Sequence, residues 1–156
     1  MSEHVLRREQ VLEAPLERTF DFFAQAENLE AITPPWLRFR ITSPTPIEMH
    51  QGALIRYRLA LRRVPISWLT RIEEWEPPHR FVDAQLRGPY ALWHHTHTFE
   101  AIDSGRTRMQ DTVRYAQRFG PAGELAQRLF VERDLERIFD FRRDAIAQLL
   151  AASAEA

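Results

Sequence analysis

The sequence predicts an α+β fold. A curved, seven-stranded antiparallel sheet would wrap a long C-terminal helix, in the order β-α-α-β6-α, and leave an internal cavity between them. Three observations predict it. Apolar residues recur at helical spacing early in the chain and again after Gly120-Pro121. Between these regions, from Trp36 to Ala116, the pattern has period two and is broken by short turns. No repeat, low-complexity tract or linker divides the 156 residues, so one domain over 1–152 is expected, with residues 153–156 a frayed tail.

Residues 4–12 alternate loosely and read as a strand. Pro15 opens a helix at its first turn, where its missing N–H costs nothing, and Leu16, Phe20 and Phe23 mark the buried face. A second helical piece, 28–32, is capped by Asn28 and stopped by Thr33-Pro34-Pro35. Strands follow over 37–42, 52–61, 66–75, 81–87, 91–102 and 106–116. Short loops join them, which implies an antiparallel meander. Leu125, Leu129, Leu135, Ile138, Phe139, Ile146 and Leu149 then form one stripe. A helix of roughly 28 residues would span about 40 Å at about 1.5 Å per residue, enough to cross the sheet. Arg142 and Arg143 read as basic residues opposing the helix dipole.

Composition excludes several function classes. The formal charge is −1, with 21 basic and 22 acidic residues, and every basic residue is arginine. Scattered arginines make no nucleic-acid footprint. There is no cysteine, hence no disulfide, thiolate metal site or cysteine nucleophile. The N-terminal residues lack the apolar stretch of a signal peptide, and no apolar run reaches the ~20 residues of a membrane helix. A cytoplasmic protein without integral membrane association is expected, and nothing in the pattern specifies its oligomeric state.

The blocks EAPLERTFDFFAQAENLEAITPPWLRF, WEPPHRFVDAQLRGPYALWHHTHTFE, TRMQDTVRYAQRFGPAG and LERIFDFRR resemble the START-like, or SRPBCC, superfamily over about residues 3–150. That superfamily includes birch-pollen-allergen-like proteins, polyketide cyclases and coenzyme-Q-binding proteins. The combination is similar to its bacterial ligand-binding branch. The resemblance implies a helix-grip fold and a cavity for a small hydrophobic or amphiphilic ligand. Cyclase or dehydrase activity follows from it only by fold-level analogy.

WHHTHTF, residues 93–99, holds three of six histidines. Strand alternation puts Trp93, His95, His97 and Phe99 on one face, inward, and sends His94 outward. An Asp103-Ser104-Gly105 loop with Gly105 at positive φ pairs Ile102 with Arg106. Phe99 then lies opposite Met109, His97 opposite Asp111 and His95 opposite Val113, with Tyr115 on the same inward face. A His97–Asp111 pair inside the cavity is expected, since an unpaired buried charge would be costly. A two-residue shift would keep the faces and move Asp111 opposite Phe99. On residues 81–87, Phe81 and the family-like FVDxQ pattern put Asp83 and Gln85 on the inward face. Trp68 and Tyr57 would line neighbouring strands, and Trp36 either gates the cavity or packs under its loop.

Three readings remain open for the histidines. Residues i and i+2 lie nearly 7 Å apart along a strand, so a converging metal site is not expected, and no cofactor is implied. A structural His–Asp bond is the simplest reading. A His97, Asp111 or His95 acid–base centre is the catalytic one. No nucleophile motif, phosphate loop or HExxH is present. The leading expectation is small-molecule binding. The alternatives are a cyclase/dehydrase-like acid–base enzyme and a cavity-poor protein that works by contacts.

Overall fold

The computed structural model describes residues 2–154. Strand β1 (Glu3–Leu12) leads to helices α1 (Leu16–Ala24) and α2 (Asn28–Ala31) and a 3₁₀ turn (Pro35–Leu37). Six strands follow: β2 (Arg40–Ile41), β3 (Leu54–Leu61), β4 (Val64–Glu76), β5 (Arg80–Arg87), β6 (Leu92–Asp103) and β7 (Arg106–Ala116). The chain ends in α3 (Gly120–Ala126), a π segment (Gln127–Val131) and α4 (Glu132–Ala154), one continuous helical rod. All seven strands form one antiparallel sheet in the order β1-β7-β6-β5-β4-β3-β2. Register shifts between β4 and β5, at Leu69/Thr70 and Ile72/Glu74, help bend it. Among the described residues, no helix is long and apolar enough to cross a membrane.

Several local expectations are corrected. Pro15 is the residue before α1 rather than its first residue. Asn28 does not cap α2; its Nδ2 donates to the Phe22 carbonyl at 2.7 Å and ties α1 to α2. The strand expected over 37–42 shrinks to Arg40–Ile41, because the prolines start a 3₁₀ turn and Arg38 ends it in the left-handed region at φ 49°. The tail is helical through Ser153 and Ala154, and residues 155–156 lie outside the described residues, as does Met1.

The β6–β7 register is the expected one at the site: Phe99 opposes Met109, His97 opposes Asp111 and His95 opposes Val113. The turn that sets it is not the expected loop. Asp103 pairs with Arg106, a shift between Ala101 and Asp103 leaves Ile102 unmatched, and Gly105 is not among the residues with positive φ. A two-residue turn plus one bulged residue fixes the same alignment as a three-residue loop.

The buried face of the helical rod is Gly123, Gln127, Leu135, Phe139, Arg142, Ile146 and Leu150. Leu125 and Leu129 are 54% and 60% exposed, not core. Each lies two residues, about 200°, from Gly123 or Gln127, and so points away from the sheet. Gly123 permits a close approach: a Cβ there would sit 1.9 Å from the Arg118 carbonyl oxygen. Arg142 is not at the helix end. It sits in the middle of α4, on its buried face.

Two apolar clusters pin the helix to the sheet. Phe20 and Phe23 of α1 meet Phe81, Phe99, Met109 and Ile146 in one. Trp68, Tyr90, Val113, Tyr115, Leu135 and Phe139 form the other.

Candidate functional site

Alternation along β6 buries His95 and His97 and leaves the His94 side chain on the other face. The rings of His95 and His97 stack with centroids 3.7 Å apart, and Phe81 covers His97 at 3.9 Å. Three elements bring charge to them. Asp83 comes from β5, Asp111 from β7 and Arg142 from α4.

The strand register sets His97 opposite Asp111 and His95 opposite Asp83. The short bonds run along the diagonals instead. His97 Nε2 lies 2.6 Å from Asp83 Oδ2, and His95 Nε2 lies 2.7 Å from Asp111 Oδ1. The expected His97–Asp111 contact exists at 3.3 Å, from Nδ1 to Oδ1, but it is the longer one. Diagonal neighbours on a sheet are within reach of long side chains, and tilting both rings along the strand satisfies both carboxylates. Arg142 Nη2 stands 3.3 Å from Asp111 Oδ1 and 3.4 Å from His97 Nδ1.

The electrostatics shift the two rings in opposite directions. Burial opposes charge on His97, but hydrogen bonds with Asp111 and Asp83 outweigh it, and its pKa is raised. Burial and then the neighbouring His97 charge lower that of His95. Burial would raise Asp111, yet the Arg142 charge and the two histidines hold it well below the carboxylate range. Asp83 is also lowered, its burial outweighed by the His97 hydrogen bond and by the His95, His97 and Arg142 charges. The cluster thus sets two carboxylates against the Arg142 guanidinium, with protonation favoured on His97 and opposed on His95. When His95 is neutral, its Nε2–H donates to Asp111. When His97 is neutral, its Nδ1 can accept from Arg142.

Asp83, His95 and His97 could present three metal-ligating atoms within 4.8 Å of one another. The expected 7 Å separation does not keep them apart, because the rings lean together. Their immediate neighbour is the Arg142 cation, which disfavours a second one.

The cluster sits at the floor of a cavity of about 180 Å³ between helix and sheet. Of the sequence-predicted residues, Tyr57, Trp68, Asp83, Trp93, His95 and His97 line it. Tyr57 hydrogen-bonds Thr70 through its hydroxyl at 2.9 Å, and burial raises its pKa. The others are placed elsewhere. Gln85 folds over the β5–β6 loop, donating to the Tyr90 carbonyl and accepting from the Tyr90 N–H. Phe99 and Met109 are packed into the α1 cluster, and the Tyr115 hydroxyl is occupied by Gln127 at 2.7 Å. Asp111 stands behind the histidines, against a separate groove shared with Arg8, Phe139 and Arg142. Trp36 neither packs under its loop nor lines the cavity. It is 47% exposed at an outer mouth, edge-on to Phe141 and beneath the Arg137 guanidinium.

Sequence reasoning missed Arg142 and Tyr90. Arg142 carried a usable signal: it falls at the spacing of Leu135, Phe139, Ile146 and Leu150, so the stripe itself puts it inside.

The comparisons agree with this architecture. The family model described as "Polyketide cyclase / dehydrase and lipid transport" matches residues 12–141. Among curated proteins, none matches the chain. Solved structures match over nearly the whole length. The Zhui aromatase/cyclase from Streptomyces sp. R1128 superposes with a TM-score of 0.78 at 16% identity, covering 96% of this chain and 94% of that one. The protein TTHA0849 from Thermus thermophilus gives 0.72 at 19%, covering 96% and 99%. A norcoclaurine synthase point mutant from Thalictrum flavum, in complex with a transition-state analogue, gives 0.71 at 12%, covering 98% and 97%. At these identities the likeness is one of fold.

Proposed function

Because the chain belongs to the polyketide cyclase / dehydrase and lipid transport family, we propose that its cavity binds a hydrophobic or amphiphilic small molecule, with a neutral oxygen-bearing group directed at the buried cluster. The observation that carries this reading is an aromatic and aliphatic cavity that ends on polar groups already paired within the protein. A charged ligand group at that floor would disturb the pairing at a high cost in a buried site. A carbonyl or hydroxyl would not. Two buried N–H groups of cavity-lining residues, Trp68 Nε1 and Arg142 Nε, have no hydrogen-bond partner among the described residues. Both can only donate, which favours a ligand with acceptor oxygens.

Native mass spectrometry of gently purified protein tests the reading. The expected result is a co-purifying small molecule that is lost in Leu59→Trp, a variant that fills the cavity. An empty protein that also fails to take up a neutral naphthalene dye would overturn it.

One observation favours a second reading. The 2.7 Å His95–Asp111 bond fixes the Nε2–H tautomer of a neutral histidine and leaves Nδ1 with a free lone pair, the form a general base needs. The enzyme reading therefore centres on His95. Retained binding with lost turnover in His95→Gln would support it once a substrate is in hand. The open cavity weighs against a protein that works by surface contacts alone.

A further inference from the structure

The inner cavity is too small to hold most ligands by itself, since typical sites run to about 300–1,000 Å³. It does not stand alone. A wider mouth of about 710 Å³ shares Leu37, Leu61, Tyr90, Leu135 and Ile138 with it. An occupant of the cavity that is longer than one or two rings can extend past these shared side chains into the mouth. What it meets there is arginine. Arg38, Arg62, Arg63 and Arg137 line the mouth against a single carboxylate, Asp134.

Asp134 is already used, bound in bidentate fashion by Arg62 at 3.0 Å on both contacts. Arg38, Arg63 and Arg137 make no ion pair among the described residues. Aromatic rings present two of the guanidinium groups: Arg62 lies over Phe130 at 4.6 Å and Arg137 over Trp36 at 5.1 Å. Backbone conformation singles out the same place. Among the described residues, four non-glycine residues have positive φ, and three are Arg38, Arg62 and Arg63. Arg62 and Arg63 are the two residues between Leu61 and Val64, which pair across the β3–β4 hairpin. A turn of that kind favours Asn-Gly, and an arginine there is held in a conformation that L-residues seldom adopt. The chain keeps guanidinium groups where smaller residues would be more relaxed.

We propose that this mouth is an anion subsite, so that the ligand is an amphiphile whose apolar body fills the cavity and whose phosphate or comparable anionic group lies among Arg38, Arg63 and Arg137. The proposal rests on the cavity reading above and adds the ligand's charge and orientation. It separates two ends of one molecule: a neutral oxygen at the floor and an anion at the rim. Exposed guanidinium groups retain hydration, so each contact is worth little, but three that line one mouth add up and remain sensitive to salt.

A pair of dyes of similar shape tests it: neutral N-phenylnaphthylamine and anionic anilinonaphthalene sulfonate, titrated against the full chain. The anionic dye is expected to bind more tightly. Arg38→Gln/Arg63→Gln should weaken it about fivefold to tenfold and leave the neutral dye in place. Raising salt from about 0.05 M to about 0.5 M should reproduce the loss. Arg7→Gln, on an exposed position of β1, serves as the charge control and should change neither dye. If the neutral dye binds and the anionic one binds no better, or the double variant weakens both alike, the anion subsite is overturned and the cavity reading stands. If neither dye binds, the cavity reading falls and the mouth with it. Dodecyl phosphate and decanoyl-coenzyme A, competed against the neutral dye beside dodecanol, distinguish a lipid phosphate from a nucleotide-linked one. Either outcompeting dodecanol supports the subsite; failure of both overturns it.

Discussion

Arg142 on the helix and Asp111 on the sheet meet at 3.3 Å, Nη2 to Oδ1, with only 9% and 10% of their side chains exposed. This contact crosses the interface between the two layers of the fold. The fixed positive charge of Arg142 is also the main influence that lowers the Asp111 pKa against burial, and it adds to the histidines in lowering that of Asp83. Removing it leaves two buried carboxylates without their fixed counter-charge. Arg142→Met is therefore expected to destabilise the protein by about 3–5 kcal/mol, as breaking one side of a buried pair does. Urea unfolding measures it. A loss below about 1 kcal/mol would show that the cluster does not depend on this charge. Arg142→Met with Asp111→Asn should recover part of the loss, because the second change removes the orphaned charge.

The two stacked histidines have opposite pH dependences. The pKa of His97 is raised above 6.5, so its contribution is complete below that value and is lost as pH rises through its folded pKa. His95 is lowered, so its contribution is present above 6.5 and is lost as pH falls through its folded pKa. Asp83 and Asp111 are also lowered, and their contribution is lost as pH falls through folded values below 3.8. Unfolding free energy should peak near the ordinary histidine pKa of 6.5 and drop on both sides. Denaturant titrations across pH follow it. His97→Gln should flatten the alkaline limb and His95→Gln the upper part of the acid limb. A wild-type stability that rises steadily from about pH 5 to about pH 8 would contradict the raised pKa of His97.

Gly123 makes a backbone-level prediction. A Cβ there would fall 1.9 Å from the Arg118 carbonyl oxygen and 2.9 Å from the Gln117 Cβ. A backbone oxygen cannot rotate aside as a side chain can. Gly123→Ala is expected to push α3 away from the end of β7 and to cost about 1–3 kcal/mol despite its better helix propensity. Thermal unfolding should show a fall of about 2–4 °C for each kcal/mol. An unchanged or raised midpoint would mean that α3 can shift at no cost.

The antiparallel meander and the β6–β7 register were legible in the sequence because period-two alternation and inward-facing aromatics leave few registers that bury His95, His97 and Phe99 together. The strand pair opposite the histidines was legible for the same reason. The partners were not. Register fixes which Cα atoms face each other, and side-chain tilt then chose Asp83 for His97 and Asp111 for His95. Gln85 and Tyr115 were read as cavity residues from their face alone, but each found a closer partner, in Tyr90 and Gln127. Leu125 and Leu129 were misplaced because an apolar stripe does not reveal that Gly123 sets the sheet side of its helix. Arg142 was read as a basic residue opposing the helix dipole, although its spacing placed it on the buried stripe.

The β3–β4 turn exposes a conflict between stability and the proposed anion subsite. Arg63 has φ 69°, a region that glycine enters freely and other L-residues do not. Its side chain is exposed and makes no ion pair among the described residues, so folding gains little from it. Arg63→Gly should therefore raise stability, by about 0.5–1 kcal/mol, an unusual result for a glycine substitution. The same change removes one cation from the mouth and should weaken the anionic dye about twofold to threefold, with the neutral dye unaffected. Unfolding and dye titrations on a single variant read both effects. Increased stability together with weaker anion binding is the signature of a residue kept for its charge against its backbone preference. Increased stability with unchanged anion binding would leave Arg63 without a role in the mouth.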